Sequence, residues 1–207
     1  MSMDRPDITK YTKNSYAVYP FGSRVYGTAR PGSDWDFVVV TGKDRTGEME
    51  NGLINIKYLT PDHFQHLLDE HHIMALECHF LPRGLWYDQY IVEPDKPWKF
   101  KLDLSKLRHS LSEKSSHSWV KAKKKFVSPY DRKNELERGK KSLWHSIRII
   151  DFGIQIATLR TIFGYNELNH IFREIMDNPS ENWQDYEEKW KPVRNAMLTR
   201  FREVAPK

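Results

Sequence analysis

The chain has 207 residues, with 33 Lys or Arg against 28 Asp or Glu and a net charge of +5. Its apolar share of 39% supports a buried core without disulfides, in one moderately large domain or two small ones. The lone cysteine, Cys78, excludes an internal disulfide framework and fits a reducing, cytoplasmic setting; no secretory leader is visible and no apolar run approaches a membrane span.

SYAVYPFG predicts a first strand over Ser15–Tyr19, ended by a Pro-Phe-Gly turn. FGSRVYG then turns into a short helix. DWDFVVVTG is the clearest strand, a β-branched run between Gly32 and Gly42. GKDRTGEMENG is polar and bounded by glycines, and reads as a connecting loop. GLINIKYLT predicts a third strand. Ile54, Ile56 and Tyr58 share one face, and Leu53, Asn55, Lys57 and Leu59 the other. Thr60 as N-cap and Pro61 at the first helical position start a helix, with HIMALECHFL as a second short one.

Beyond Pro97 the pattern is helical. DLSKLRHSLSEKSSHSWVKAKKKF predicts one or two helices, broken at Pro129. ELERGKKSLWHSIRIIDFGIQIATLRTIFG is the longest helical stretch. Leu143, Ile147, Ile150, Ile154 and Ala157 recur along it at the spacing of a buried face, although Gly153 weakens the helix locally. A last helix is expected over Trp183–Val204, with Pro192 kinking or splitting it. These elements predict an α+β chain with an N-terminal domain over residues 1–96 and a helical one over 97–207.

The chemistry concentrates in GSRVYGTARPGSDWDFVVV, Gly22 to Val40. Residues i and i+2 of a strand point to the same side, so Asp34 and Asp36 project together while Trp35 points into core. Two carboxylates this close raise each other's pKa unless a cation sits between them. The pair is either a solvated strand entrance or a divalent-metal site; magnesium prefers one or two carboxylates shared with substrate phosphates. The Gly22-Ser23 step before it frees backbone N–H groups and a hydroxyl for an anion, and Arg24 and Arg30 add positive charge. Together these parts describe a Mg-nucleotide site. Neither GxxxxGK nor GxGxxG occurs.

Gly-Ser after a strand, then Asp-x-Asp leading into an apolar strand, resembles the DNA polymerase β-like nucleotidyltransferase superfamily. The stretch is especially similar to predicted bacterial and phage nucleotidyltransferases with a Gly-Ser-Arg-x-x-Gly and Ser-Asp-x-Asp pattern. YLTPDHFQHLL with ALECHFLP, ending near Glu77, resembles the helix pair of that group. KKSLWHSIRII resembles its later helix, matching Lys141, His145 and Arg148. The resemblance implies a mixed, palm-like sheet with helices, followed by a helical C-terminal part. It implies transfer of a nucleoside monophosphate from a Mg²⁺- or Mn²⁺-bound NTP to a hydroxyl of RNA, protein or a small molecule, releasing pyrophosphate. Gly22, Ser23 and Arg24 would bind the nucleotide, while Asp34 and Asp36 would act catalytically as ligands of two metal ions about 4 Å apart. One position departs from the pattern: the third carboxylate expected on the next strand falls on Asn55, a neutral ligand and no base. A nucleotide- or RNA-binding module without turnover is therefore the alternative, and Glu48, Glu50 and Glu77 are candidate substitutes.

Lys141, His145 and Arg148 fall on one helical stripe, as a basic wall over phosphates or as a solvated boundary. Lys121, Lys123, Lys124 and Lys125 lie near Trp119 and Phe126, a composition that suits single-stranded nucleic acid or simple surface exposure. RNA or another polyanion is thus a candidate partner. His63, His66, His71, His72 and His79 lack zinc-finger spacing, and Cys78 reads as a small buried residue.

Overall fold

The computed structural model describes residues 5–42 and 45–206. Among the described residues, four strands and eight α-helices make an α+β fold, and the chain divides into a unit ending at Lys101 and a second from Leu102. This division lies past the expected break at Pro97 because the intervening side chains are tied to the first unit. Trp98 donates its indole N–H to the Tyr19 hydroxyl at 2.7 Å, and Phe100 packs on His71 and His79.

The first unit is built on a mixed sheet of β1 (Ala17–Phe21), β2 (Trp35–Val40), β3 (Gly47–Asn51) and β4 (Ile54–Leu59), in the order β1-β2-β4-β3. β2 runs parallel to β4, and the other two pairings are antiparallel. β1 extends through Pro20 instead of ending before it. The Val18 amide points outward to the Val92 carbonyl at 2.9 Å. Pro20, two residues on, directs its missing donor to that same outer edge, where no β2 bond is lost.

The stretch expected to be only a loop contains β3. Asn51 pairs with Ile54 across Gly52, at φ 62°, and Leu53, a two-residue hairpin. Asn51-Gly52 was the available signal, but Gly47-Glu-Met-Glu-Asn51 has poor strand propensity and gains its conformation from pairing with β4. Lys43 and Asp44 of that stretch lie outside the described residues.

β2 is buried on both faces, which explains its unbroken Phe-Val-Val-Val run. Trp86 and Tyr90 cover Trp35, and Tyr90 also covers Phe37. On the other face Tyr19, opposite Val38, stacks on Phe64 of helix α3 (Pro61–Asp69). The Thr60 hydroxyl accepts the His63 amide at 3.1 Å and caps α3 as expected. Helix α1 (Thr9–Thr12), the single turn α2 (Ser23–Tyr26) and α4 (Ile73–His79) complete this unit. Cys78 is buried within α4. Two of the histidines serve local structure: the ring of His72 accepts the Met74 amide at the start of α4, and His79 packs on Phe80 and Phe100.

The second unit consists of α5 (Leu104–Phe126), α6 (Arg132–Leu159), α7 (Asn169–Asp177) and α8 (Trp183–Val204). Leu143, Ile147, Ile150 and Ala157 of α6 are buried, and Ile154 lies half-buried at the margin. α7 has no side-chain cap, so its N-terminus carried no start signal; Ile171, Phe172, Ile175 and Met176 hold it by burial. α8 runs through Pro192 without splitting, because the exposed ring leaves the freed carbonyl on the solvent side. Trp119 and Phe126 pack on Trp183, so the aromatics expected to offer stacking surface belong to this packed layer.

Gly153 has a packing role. A Cβ there would lie 2.5 Å from the ring of Phe201, itself fully buried on α8. Alanine would gain about 1 kcal/mol in helix propensity but overpack the contact by about 1–3 kcal/mol. Gly153→Ala is therefore expected to lower the unfolding free energy in urea titration, against its propensity. Among the described residues, no helix is long and apolar enough to cross a membrane.

Candidate active site

Three backbone segments converge on Asp36. Its side chain lies in a row across the sheet, opposite Phe21 on β1 and Asn55 on β4. Gly22 stands directly against it, at φ 77° and ψ −157°. Only glycine occupies that region readily. A Cβ at Gly22 would sit 2.1 Å from Asp36 Oδ2, so the backbone leaving β1 approaches the carboxylate as closely as a missing side chain permits.

Ser23 opens α2. One helical turn has little macrodipole, so this turn's offering to an anion is local: the Ser23 amide at the first helical position and the Ser23 hydroxyl. The Ser23 hydroxyl makes no hydrogen bond to a described residue, while its carbonyl accepts the Thr28 amide at 2.9 Å and holds the turn. The Tyr26 hydroxyl donates to Glu77 Oε2 at 2.6 Å, which anchors α2 to α4. Glu77 is 2% exposed, and this buried contact gives it a structural role beside the site.

Arg24 secures the segment that carries the aspartates. Its Nε donates to the Asp34 carbonyl at 3.0 Å and its NH2 to the Ser33 carbonyl at 2.5 Å. The guanidinium lies 3.9 Å over the Trp35 ring. With two carbonyls and an indole face engaged, Arg24 positions Asp34 and Asp36 and places a positive charge near both. Arg30 belongs to the same turn, where its backbone amide donates to the Ser33 hydroxyl at 2.8 Å.

The carboxylates differ. Asp34 is exposed, just ahead of β2, and its side chain makes no hydrogen bond or ion pair with a described residue. Asp36 is half-buried. Burial pushes its pKa above the usual carboxylate range and the neighbouring charge of Asp34 adds to this, against the opposing Asn55 hydrogen bond and Arg24 charge. Asp36 is thus a carboxylate with too little compensating positive charge, which a cation would supply.

Asn55 Nδ2 donates to Asp36 Oδ1 at 3.2 Å. The position where a third carboxylate was expected is therefore beside Asp36, occupied by an amide. The proposed substitutes are elsewhere engaged or displaced. Glu48 pairs with Lys57 at 3.1 Å, Glu77 is bound to Tyr26, and Glu50 sits one strand farther along the same row. Among the described residues, no group of three or more His, Cys, Asp or Glu is placed to hold a metal ion. Two carboxylates and an amide oxygen suit a magnesium ion that takes its remaining oxygens from phosphates and water, and do not suit an all-protein cage.

Lys141, His145 and Arg148 belong to the second unit, on α6. Arg148 is 4% exposed; its NH2 lies 3.1 Å from His145 Nδ1, and its guanidinium packs on Phe152 and Trp144. Burial, then the charges of Arg148, Lys121 and Lys141, push His145 well below the ordinary imidazole range, so it is neutral and accepts from Arg148. Lys141 is exposed and ion-paired with Glu137 at 2.7 Å. The sequence stripe thus contains one surface cation and a buried arginine bound to a half-buried histidine.

No curated protein matches the chain. The nucleotidyltransferase domain family matches residues 7–142, which takes in the whole sheet, the Gly22-Ser23 step, both aspartates and the helices through the first part of α6. With the mixed sheet and this arrangement around Asp36, that match places the chain in the nucleotidyltransferase domain family of the polymerase β-like superfamily.

Proposed function

We propose that the protein is a Mg²⁺-dependent nucleotidyltransferase that moves a nucleoside monophosphate from an NTP to a hydroxyl acceptor on RNA, protein or a small molecule. The close approach of Gly22 to Asp36 is the observation that carries this reading. It sets an open backbone turn, a free serine hydroxyl and a carboxylate pair in one small volume. Gly22 and Ser23 receive the triphosphate, and Arg24 holds the aspartate segment. Asp34 and Asp36 would hold the metal ion, which would screen the triphosphate charge and polarise its phosphoryl oxygens. The acceptor oxygen forms a bond to the α-phosphorus as the bond to the β-phosphate oxygen breaks, and pyrophosphate leaves. Asn55 cannot take the acceptor's proton, which passes to water.

The test is release of pyrophosphate from each labelled NTP with Mg²⁺ or Mn²⁺ and candidate acceptors. Turnover is expected for the unaltered chain and absent for Asp36→Ala; turnover retained by Asp36→Ala would refute the mechanism. The Asn55–Asp36 hydrogen bond favours a second reading, a nucleotide-binding module without turnover. That reading expects Mg²⁺-dependent NTP binding by calorimetry, no pyrophosphate release, and a gain of release in Asn55→Asp. Turnover by the unaltered chain excludes it.

A further inference from the structure

The positive charge of the second unit is segregated onto one helix. α5 carries seven Lys or Arg against the single Glu113, a balance of +6 that exceeds the +5 of the entire chain. Several cations of the other helices are neutralised in place. Arg132 pairs with Glu181 at 3.1 Å, Lys191 with Glu187 at 3.0 Å, and Lys189 with Glu174. On α5, Lys125 pairs with Glu135 at 2.6 Å. By contrast Arg108, Lys114, Lys121, Lys123 and Lys124 make no hydrogen bond or ion pair with a described residue. Five like charges on one helix repel, so a helix kept this way is destabilised unless an anionic partner offsets the repulsion.

Their spacing is also ordered. Lys114, His117, Lys121 and Lys124 fall at i, i+3, i+7 and i+10, one stripe about 15 Å long. Ser128 continues it beyond the helix end. Beside the stripe runs a groove of about 560 Å³, whose lining includes His117, Val120, Lys121, Lys124 and Ser128. Glu135 also lines it, with its charge met by Lys125. Glu113 is the remaining acid of this face, lying 3.9 Å from His117. Past the end of the stripe, Tyr130 is 79% exposed and Val127 67% exposed. Trp119 and Phe126 pack on Trp183, which leaves Tyr130 as the strongly exposed aromatic ring here.

We infer that the Lys114–Lys124 stripe of α5, with Tyr130 at its end, docks a single-stranded nucleic acid, the lysines on its phosphates and Tyr130 against a base. An unpaired cation row matches the regular anionic charge of a phosphodiester chain, and an exposed tyrosine stacks on bases that a duplex would hide. This surface does not depend on turnover at Asp34 and Asp36, so a binding measurement separates it from the transfer chemistry.

The experiment is fluorescence anisotropy with labelled 20-nucleotide single-stranded RNA and DNA, the corresponding duplex, and 30% phosphatidylserine vesicles as competitor, across a salt series. The triple variant Lys114→Gln/Lys121→Gln/Lys124→Gln is expected to weaken single-strand binding on the order of tenfold or more. Its slope of log affinity on log salt should fall by about 2, at roughly 0.7 for each phosphate no longer neutralised. Tyr130→Ala should weaken binding about fivefold or more with little change in slope. The matched control Lys189→Gln/Lys191→Gln/Arg200→Gln, which removes the same charge from α8, should bind within about threefold of the unaltered chain. Lys114→Arg/Lys121→Arg/Lys124→Arg should retain binding, and circular dichroism should show all variants folded, since every altered side chain is exposed. An equal loss in the α8 control, an unchanged salt slope in the α5 triple, tighter binding to duplex than to single strands, or binding to vesicles alone would each overturn the inference. RNA and DNA binding alike supports it, and their ratio identifies which strand is preferred.

Discussion

Gly22→Ala is expected to abolish Mg²⁺-nucleotide binding and to lower the unfolding free energy by about 1–3 kcal/mol from backbone strain alone. The backbone at Gly22 has φ 77° and ψ −157°, a region where an L side chain is strained whatever the space around it. Here there is no space either, because the new methyl would lie 2.1 Å from Asp36 Oδ2. Relief requires the turn to swing away from β2 or Asp36 to leave its row beside Asn55. Either movement separates the turn proposed to hold the triphosphate from the carboxylate, so binding should fail even where the fold survives. Isothermal titration with Mg-NTP measures the first effect and urea titration the second. Gly32→Ala is the control: it shares a positive φ of 81° but nothing lies within 4 Å of its Cβ. It should lose comparable stability and keep nucleotide binding. Retained binding in Gly22→Ala would mean that the turn does not hold the triphosphate.

Asp36→Asn should remove transfer activity on the order of a thousandfold or more, the scale of losing one preorganised group at a reacting centre, while making the free protein more stable at neutral pH. The substitution preserves shape, and the new amide oxygen still accepts from Asn55 Nδ2. It removes a carboxylate whose burial outweighs the Asn55 hydrogen bond and the Arg24 charge. The folded Asp36 holds its proton more tightly than the unfolded one. Its contribution is therefore harmless below the ordinary value of 3.8, and becomes destabilising as pH rises from there through the raised folded value. The stability advantage of Asp36→Asn should accordingly be present at pH 7 and shrink as pH falls toward 3.8. Thermal unfolding from pH 3.5 to 8 reads this difference. Saturating Mg-NTP should reverse the order by stabilising only the unaltered chain. An unaltered chain that is the more stable without ligand at pH 7 would show that Asp36 is not held at a cost for binding.

The site was partly legible because its chemistry lies close along the chain. Gly22, Ser23, Asp34 and Asp36 fall within fifteen residues, and the two-residue period of a strand relates the aspartates without any tertiary information. The first-position Pro61 and cap Thr60 likewise announced α3 from local rules. β3 was missed because Gly47–Asn51 owes its extended form to β4, and α7 because its side chains supply burial but no cap. Arg24 read as a phosphate ligand from charge alone; its bonds to the Ser33 and Asp34 carbonyls depend on a turn whose path no local rule specifies.

By itself the sequence determined the strand and helix alternation, the Gly-Ser turn, the aspartate pair and the neutral Asn55, since each rests on side-chain type and short-range spacing. Only the tertiary structure decided what those groups meet. It set Gly22 against Asp36, put Asn55 in register beside it, joined the buried Arg148 to His145, and left Lys114, Lys121, Lys123 and Lys124 of α5 without a hydrogen bond or ion pair to a described residue. The physical reason is that charge and shape belong to a residue, whereas desolvation, register and counter-charge belong to the surfaces that folding brings against it.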